Sequence, residues 1–445
     1  MHFKIFNTLV LFFNMAAILL ANIGYSQNNW NSKKDKIKIP FELTHNLIIV
    51  DVNFNGIPLK MIADTGAEMN ILFSFPEKDS VVLSHTDKIQ IKGVGKGESL
   101  DAYLSKMNHV KIRDYEDLNF EIVLIPNQDI SVINKLGIPV NGILGSSFFK
   151  SYLVEINYQK KQIILHRKEL LQDDNRIKNF QKMDVDFDES KPYVKIPITL
   201  DKDNKVYKLL FDTGLGDGLW LFENDSLKCN DKFFTDFLGV GLSGEIFGKR
   251  SRVQQIIFSD LFLKDALVSY PDSVSFNQIS ILHDRNGSLG GDIVKRFNWF
   301  LDYQNKQFYF KKNVLFNSPF EYNMSGIEIQ HSGLQWVKEA VRKEGGIGQV
   351  NMDEFVFEDS SKRYNYNYEL KPIFQIYAIR KNSPGEKAGL LVGDKILKIN
   401  NKLASQLSIQ SITDLFQSEE GKWITMIVDR AGIRFTVKFQ LEKIL

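Results

Sequence analysis

The sequence predicts a mainly β protein built from two homologous lobes, followed by a smaller α+β domain. Three observations carry this. Short β-rich runs bounded by turn residues recur up to about residue 315. Within that stretch the same landmarks occur twice, in one order and at nearly one spacing. Beyond residue 318 the pattern changes, and helical spacing appears between strands.

The N-terminal segment comes first. Lys4 gives a positive start, and an apolar run follows from Leu9 to Ala21, interrupted by Asn14. Gly24 and Ser26 place small residues three and one before a cut that leaves Gln27 first. Residues 1–26 thus read as a secretory signal peptide, the apolar run being short for a membrane span; an uncleaved anchor is the alternative. No later stretch reaches the roughly 18 apolar residues of a span, so no integral membrane segment is expected after signal cleavage. The expected location is exported: periplasmic, cell-envelope or secreted.

Composition narrows the class. The 445 residues are 43% hydrophobic and 25% charged, which excludes a disordered chain, a collagen-like fibre and a multi-pass membrane protein. Lys and Arg number 56 against 54 Asp and Glu, a net charge of +2, so nothing draws the chain to nucleic acid. Cys229 is the single cysteine. It forms no internal disulfide, anchors no structural zinc, and reads as a small buried hydrophobe. An exported chain without disulfides fits a bacterial envelope better than a eukaryotic secretion route.

The repeat follows. Ala63-Asp64-Thr65-Gly66-Ala67 recurs as Phe211-Asp212-Thr213-Gly214-Leu215, and Gly93-Val94-Gly95 as Gly239-Val240-Gly241. Leu144-Gly145 recurs as Leu289-Gly290, and the run Tyr158 to Gln162 as Tyr303 to Gln307. A unit of roughly 145 residues is too long for a solenoid repeat and has the size of a whole lobe. In the first copy, Leu47 to Val52 reads as a strand, Asn55-Gly56 as a turn and Leu59 to Ile62 as its partner. In the second, Tyr193 to Leu200, a turn at Asp201 to Asn204 and Val206 to Phe211 repeat that pattern. Asn157-Tyr158 and Asp302-Tyr303 each mark a hairpin, and polar residues 167–190 suit an interlobe connector.

One Asp-Thr-Gly is a weak signal, with a tight turn as its ordinary explanation; about 0.1 are expected by chance in such a chain. Two are stronger, because each ends an apolar strand and each precedes an apolar-Leu-Gly or Ser-Leu-Gly element: Ile143-Leu144-Gly145 and Ser288-Leu289-Gly290. Over roughly residues 40–315 the chain resembles the aspartic proteases of the retropepsin and pepsin type. The resemblance implies a bilobal acid-protease β-barrel fold, with lobe 1 over 27–168 and lobe 2 over 169–318. It further implies that Asp64 and Asp212 are the catalytic pair, with Thr65, Gly66, Thr213 and Gly214 supporting their loops. Two carboxylates held close share one proton. The ionised member takes a proton from water as that water attacks the peptide carbonyl, and the protonated member donates to the carbonyl oxygen. Such chemistry needs neither a metal nor any other cofactor. Roles within the pair stay unassigned, because a coupled pair titrates as one unit.

Three positions depart from the pepsin-like pattern. Ala67 and Leu215 stand where Ser or Thr usually follows Asp-Thr-Gly, and Ser288 where an apolar residue is usual. A degenerate second lobe, or Asp64 paired across a homodimer, are the alternatives these leave open. Gly239 to Gly244 matches G-x-G-x-x-G by spacing, but no helix is expected after it, so a glycine-rich hairpin is the better reading. Its first-lobe counterpart, with Gly93, Gly95 and Gly97, is the candidate flap over substrate, a plain β-turn being the alternative.

In the C-terminal domain, Ser383 caps a helix with Pro384 at its first position. A strand Lys395 to Asn400, a helix over 408–417 and a pair of strands from Trp423 to Leu441 follow. The run from Ser383-Pro384-Gly385 through Gly393-Asp394 to Asn400-Asn401 resembles a PDZ domain, over 319–445, with 338–370 as an inserted polar loop. PDZ domains add an extended peptide end to a sheet edge and hold its carboxylate with backbone N–H groups. Ser325, Gly326 and Ile327 are the candidate carboxylate loop, beside helix 408–417; a docking module that binds no free peptide is the alternative. The reading is an exported aspartic endopeptidase acting on peptide or unfolded protein, with a PDZ domain for a C-terminal peptide or substrate. The alternative is a catalytically degenerate envelope protein that acts as a PDZ peptide-binding module.

Overall fold

The computed structural model describes residues 34–73, 83, 85–91, 99–126, 140–167, 174–200, 203–242, 244–275, 284–342 and 364–445. The segment read as a signal peptide lies outside them. Among the described residues no helix is long and apolar enough to cross a membrane.

Both repeat copies fold the same way. In the first, the hairpin Leu47–Phe54 and Ile57–Ala63 turns through Asn55 and Gly56, whose φ values of +49° and +91° suit the tight hairpin that Asn-Gly favours. The strand Ile57–Ala63 then pairs parallel with Gly142–Leu144, which in turn runs antiparallel to Ile71–Leu72. In the second copy, Asp203–Phe211 pairs antiparallel with Lys191–Leu200 and parallel with Gly287–Leu289, which runs antiparallel to Leu219–Leu221. A parallel pairing needs a long crossover, and the residues between the two motifs of each copy supply it. Each crossover returns its apolar-Gly element directly behind an Asp-Thr-Gly loop.

The lobes share a sheet. Leu153–Asn157 of the first pairs antiparallel with Phe297–Asp302 of the second, Val154 facing Leu301 and Ile156 facing Trp299. On one side this central pair is extended by Gln162–His166 and Lys36–Pro40, on the other by Gln307–Lys312 and Gln181–Asp188. The last strand falls inside the region read from sequence as a connector. Its polar residues alternate with Met183, Val185 and Phe187, and period-two alternation makes a half-buried strand of an otherwise charged run. The core beneath includes Phe211 edge-on to Trp299 at 4.8 Å and to Phe308 at 5.2 Å. Burying each such ring contributes roughly 2–3 kcal/mol.

The Gly239 to Gly244 segment is a hairpin, Phe234–Gly241 against Gly244–Phe258, with Gly241 facing Gly244. A strand, not a helix, follows its last glycine, which removes the dinucleotide reading. Gly239 and Gly244 have φ of +147° and +116°, which side chains resist. Beyond its tip, Leu242 packs against the first-lobe cluster that contains Leu47, Ile49 and Ile62.

The C-terminal domain is a sheet ordered Ile327–Arg342, Tyr364–Ile379, Lys395–Ile399, Trp423–Arg430, Ile433–Gln440. The Ser383 hydroxyl accepts the Glu386 N–H at the start of helix Pro384–Lys387, and helix Ile409–Phe416 opens with Ser408 as cap. The expected loop over 338–370 is narrower than the sequence implied. One strand continues to Arg342 and its partner resumes at Tyr364, with Lys338 opposite Tyr368. Polar residues misled there, because the alternation in Tyr364-Asn365-Tyr366-Asn367-Tyr368 has strand period and strand propensity.

Candidate active site

Asp64 and Asp212 follow directly the strands Ile57–Ala63 and Asp203–Phe211. The Asp64 N–H donates to Leu144 O (2.9 Å) and the Asp212 N–H to Leu289 O (2.9 Å). Each crossover element therefore fixes the backbone of an aspartate. Thr65 and Thr213 then tie the loops together. Each threonine N–H donates to the other's Oγ1, at 3.0 and 3.1 Å. The Thr65 hydroxyl donates to Phe211 O (2.6 Å) and the Thr213 hydroxyl to Ala63 O (2.7 Å).

This grip sets the two carboxyls side by side, close enough that each shifts the other's titration. Asp64 Oδ1 accepts from the N–H groups of Gly66 (2.7 Å) and Ala67 (3.2 Å); Asp212 Oδ1 accepts from Gly214 N–H (3.0 Å). Both residues are half-buried, so the pair sits low in the cleft and still reaches solvent. Glycine is required on both sides. A Cβ at Gly66 would lie 2.6 Å from Asp212 Cγ, and one at Gly214 would lie 2.2 Å from Asp64 Cγ. Desolvation raises both carboxyls above the ordinary carboxylate range, and the Asp64 charge raises Asp212 further. The pair is built to hold one proton and one negative charge against a water, as peptide hydrolysis without a covalent intermediate demands.

With that geometry in place, the comparisons decide the family. Residues 50–148 match the family model described as Aspartyl protease, and residues 375–430 the one described as PDZ domain. The chain carries an aspartyl protease domain and a PDZ domain. No curated protein matches it in sequence. Among solved structures it is similar to the crystal structure of Basic 7S globulin from soybean, at 8% identity and a TM-score of 0.39, over 64% of this chain and 97% of that one.

The aspartyl protease match stops before the second Asp-Thr-Gly, where the unusual positions lie. Leu215 packs into an apolar cluster with Trp220, Leu238 and Ile246. Ser288 has a partner that sequence reasoning missed. Arg285 Nη2 donates to Ser288 Oγ (2.6 Å) and Nε to Gly287 O (3.0 Å), and its guanidinium stacks 5.2 Å from the Phe222 ring. The charge of the same guanidinium pulls the Tyr193 hydroxyl and the Asp212 carboxyl down against the desolvation that raises both. A serine in place of an apolar residue was the only visible trace of this cation. Asp217, at the end of the second dyad loop, is held by Trp220 Nε1 (2.8 Å), Ser269 Oγ (2.8 Å) and Arg250 Nη1 (3.0 Å).

The candidate flap glycines Gly93, Gly95 and Gly97 lie outside the described residues. The PDZ domain's candidate carboxylate loop requires correction. Ser325, Gly326 and Ile327 are buried, and their N–H groups already have acceptors. Asn323 Oδ1 accepts from Ser325 (3.0 Å) and Gly326 (3.2 Å), and Ser325 Oγ accepts from Ile327 (3.1 Å). An asparagine two residues upstream fills the place a terminal carboxylate would take. Ile327 does line a cavity, shared with helix Ile409–Phe416 and the second protease lobe.

Proposed function

We propose that this protein is an aspartic endopeptidase that hydrolyses extended or unfolded polypeptide, with water activated between Asp64 and Asp212. The observation that carries the reading is the pairing of the two Asp-Thr-Gly loops, locked by reciprocal threonine bonds, with each loop's glycine abutting the other loop's carboxyl. Either aspartate serves as base while the other is protonated, and the shared proton returns at each turnover. Asp212 Oδ1 has one backbone donor where Asp64 Oδ1 has two, and the Arg285 charge lowers the Asp212 carboxyl. Export to the periplasm or envelope belongs to the same proposal, on the apolar run from Leu9 to Ala21. The test is hydrolysis of a reduced, unfolded protein across acidic to neutral pH by the parent and by Asp64→Asn and Asp212→Asn. Each substitution should abolish hydrolysis with the fold intact. Full activity in either, or no cleavage by a folded parent at any pH, rejects the dyad.

A further inference from the structure

A cavity of about 470 Å³ lies between the PDZ domain and the second protease lobe. Gly214, Leu215 and Leu238 line it from the protease lobe, and Ile329 and Thr413 from the PDZ domain. Gly214 belongs to the dyad itself, since its N–H bonds Asp212 and its α-carbon abuts the Asp64 carboxyl. Ile329 and Thr413 are on the strand and helix that bound the groove of the PDZ domain.

We propose that this groove and the protease cleft form one binding surface for a single substrate polypeptide. An extended internal segment packs over Ile327 and pairs with the strand edge at Ile329 while a neighbouring part of the same chain reaches the dyad. The proposal rests on the proteolytic reading above and adds the kind of substrate: internal segments, not chain ends.

Three features support it. Ile327–Arg342 is an edge strand, paired on one side with Tyr364–Ile379; Ser325 and Asn323 already hold the Ile327 N–H and carbonyl, so the edge meets an incoming strand from Ile329 onward. The usual reason for reading chain ends is missing, because Asn323 occupies the N–H groups a terminal carboxylate would need. That asparagine is itself committed, donating to Ile327 O (2.8 Å) and Glu328 Oε1 (3.1 Å), so displacing it would strand further groups. The groove is also fixed toward the dyad. His45 N–H of the first lobe donates to Gln410 Oε1 of the PDZ helix (2.8 Å), and Arg380 pairs with Asp236 of the second lobe at 3.5 Å. Ile327, Ile329 and Leu238 line the cavity, which suits the apolar side chains of such a segment.

The test uses the full chain with Asp64→Asn, which holds peptide without cleaving it. The probes are a fluorescein-labelled decapeptide of alternating Leu and Lys, as free acid and as C-terminal amide, followed by anisotropy. The two forms should bind within about threefold of each other, and Thr413→Trp should weaken both by about tenfold. Peptide should also slow hydrogen exchange at 327–329, a readout that needs no groove substitution. A free acid binding tenfold tighter than the amide, or Thr413→Trp binding like its parent with exchange unchanged, overturns the proposal. If the parent cleaves nothing while this binding pattern holds, the groove assignment stands and the proteolytic reading falls. Cleavage with no binding in the groove has the opposite meaning.

Discussion

Thr65 and Thr213, 148 residues apart, each accept the other's backbone N–H while donating to the carbonyl before the other's aspartate. Both side chains are fully buried, so water replaces none of these bonds. Thr213→Val would strand the Thr65 N–H and the Ala63 carbonyl. At about 1–3 kcal/mol for each stranded group, the loss is about 2–6 kcal/mol. A large domain loses about 2–4 °C of melting temperature per kcal/mol. Thr213→Ser keeps the hydroxyl and should recover most of the loss; calorimetry showing Thr213→Val melting with the parent would refute the grip.

Gly214→Ala places a methyl where the Asp64 carboxyl stands, 2.2 Å from its Cγ. The carboxyl must move from its place beside Asp212, where Gly66 and Ala67 N–H hold it. Displacement of a catalytic group on this scale costs about 100-fold or more in kcat. Steady-state kinetics should report that loss while circular dichroism still reports a folded sheet protein. Retention of parental kcat would show that the dyad tolerates a carboxyl elsewhere.

For the proposed hydrolysis, Arg285 is expected to set the alkaline limit. A cation beside Asp212 lowers its pKa, so removing the cation raises it and keeps the shared proton bound to higher pH. Arg285→Gln should therefore move the alkaline limb of the kcat/KM profile upward, and Arg285→Lys should largely restore it. A downward shift in Arg285→Gln would reverse the assigned sign.

Glu328 links pH to stability where the PDZ domain docks. Desolvation, then the Asp236 charge, raise its carboxyl to about 7, against the opposing pull of Arg250 and Arg380. An acid whose folded pKa exceeds its unfolded value of 4.5 binds more protons when folded, so stability falls as pH rises. The window runs from the unfolded value to about 7. Glu328→Gln should flatten that part of the melting-temperature profile. A parental slope persisting in the variant would place the effect elsewhere.

Much of this was legible in the chain. The strand hairpins at Asn55-Gly56 and in the second copy follow from alternation and turn chemistry. The PDZ elements follow from the Ser383 cap, the Gly393-Asp394 turn and the spacing of Ile409, Ile412 and Phe416. Strand Gln181–Asp188 was hidden by its acidic residues, and the strand extensions to Arg342 and from Tyr364 by their polar surroundings. In each case charge was read as solvation, although strands carry charge on one face.

The sequence by itself determined that there are two lobes, which aspartates meet, and which glycines must stay small. These follow from a duplicated motif, whose copies are bound to be related by the repeat that contains them. Only the tertiary structure decided that Arg285 stands behind Asp212, that Asn323 closes the carboxylate loop of the PDZ domain, and that its groove opens toward Gly214. Those relationships join residues of unrelated spacing through packing and buried polar contacts, and no local periodicity records which surfaces a fold will bring together.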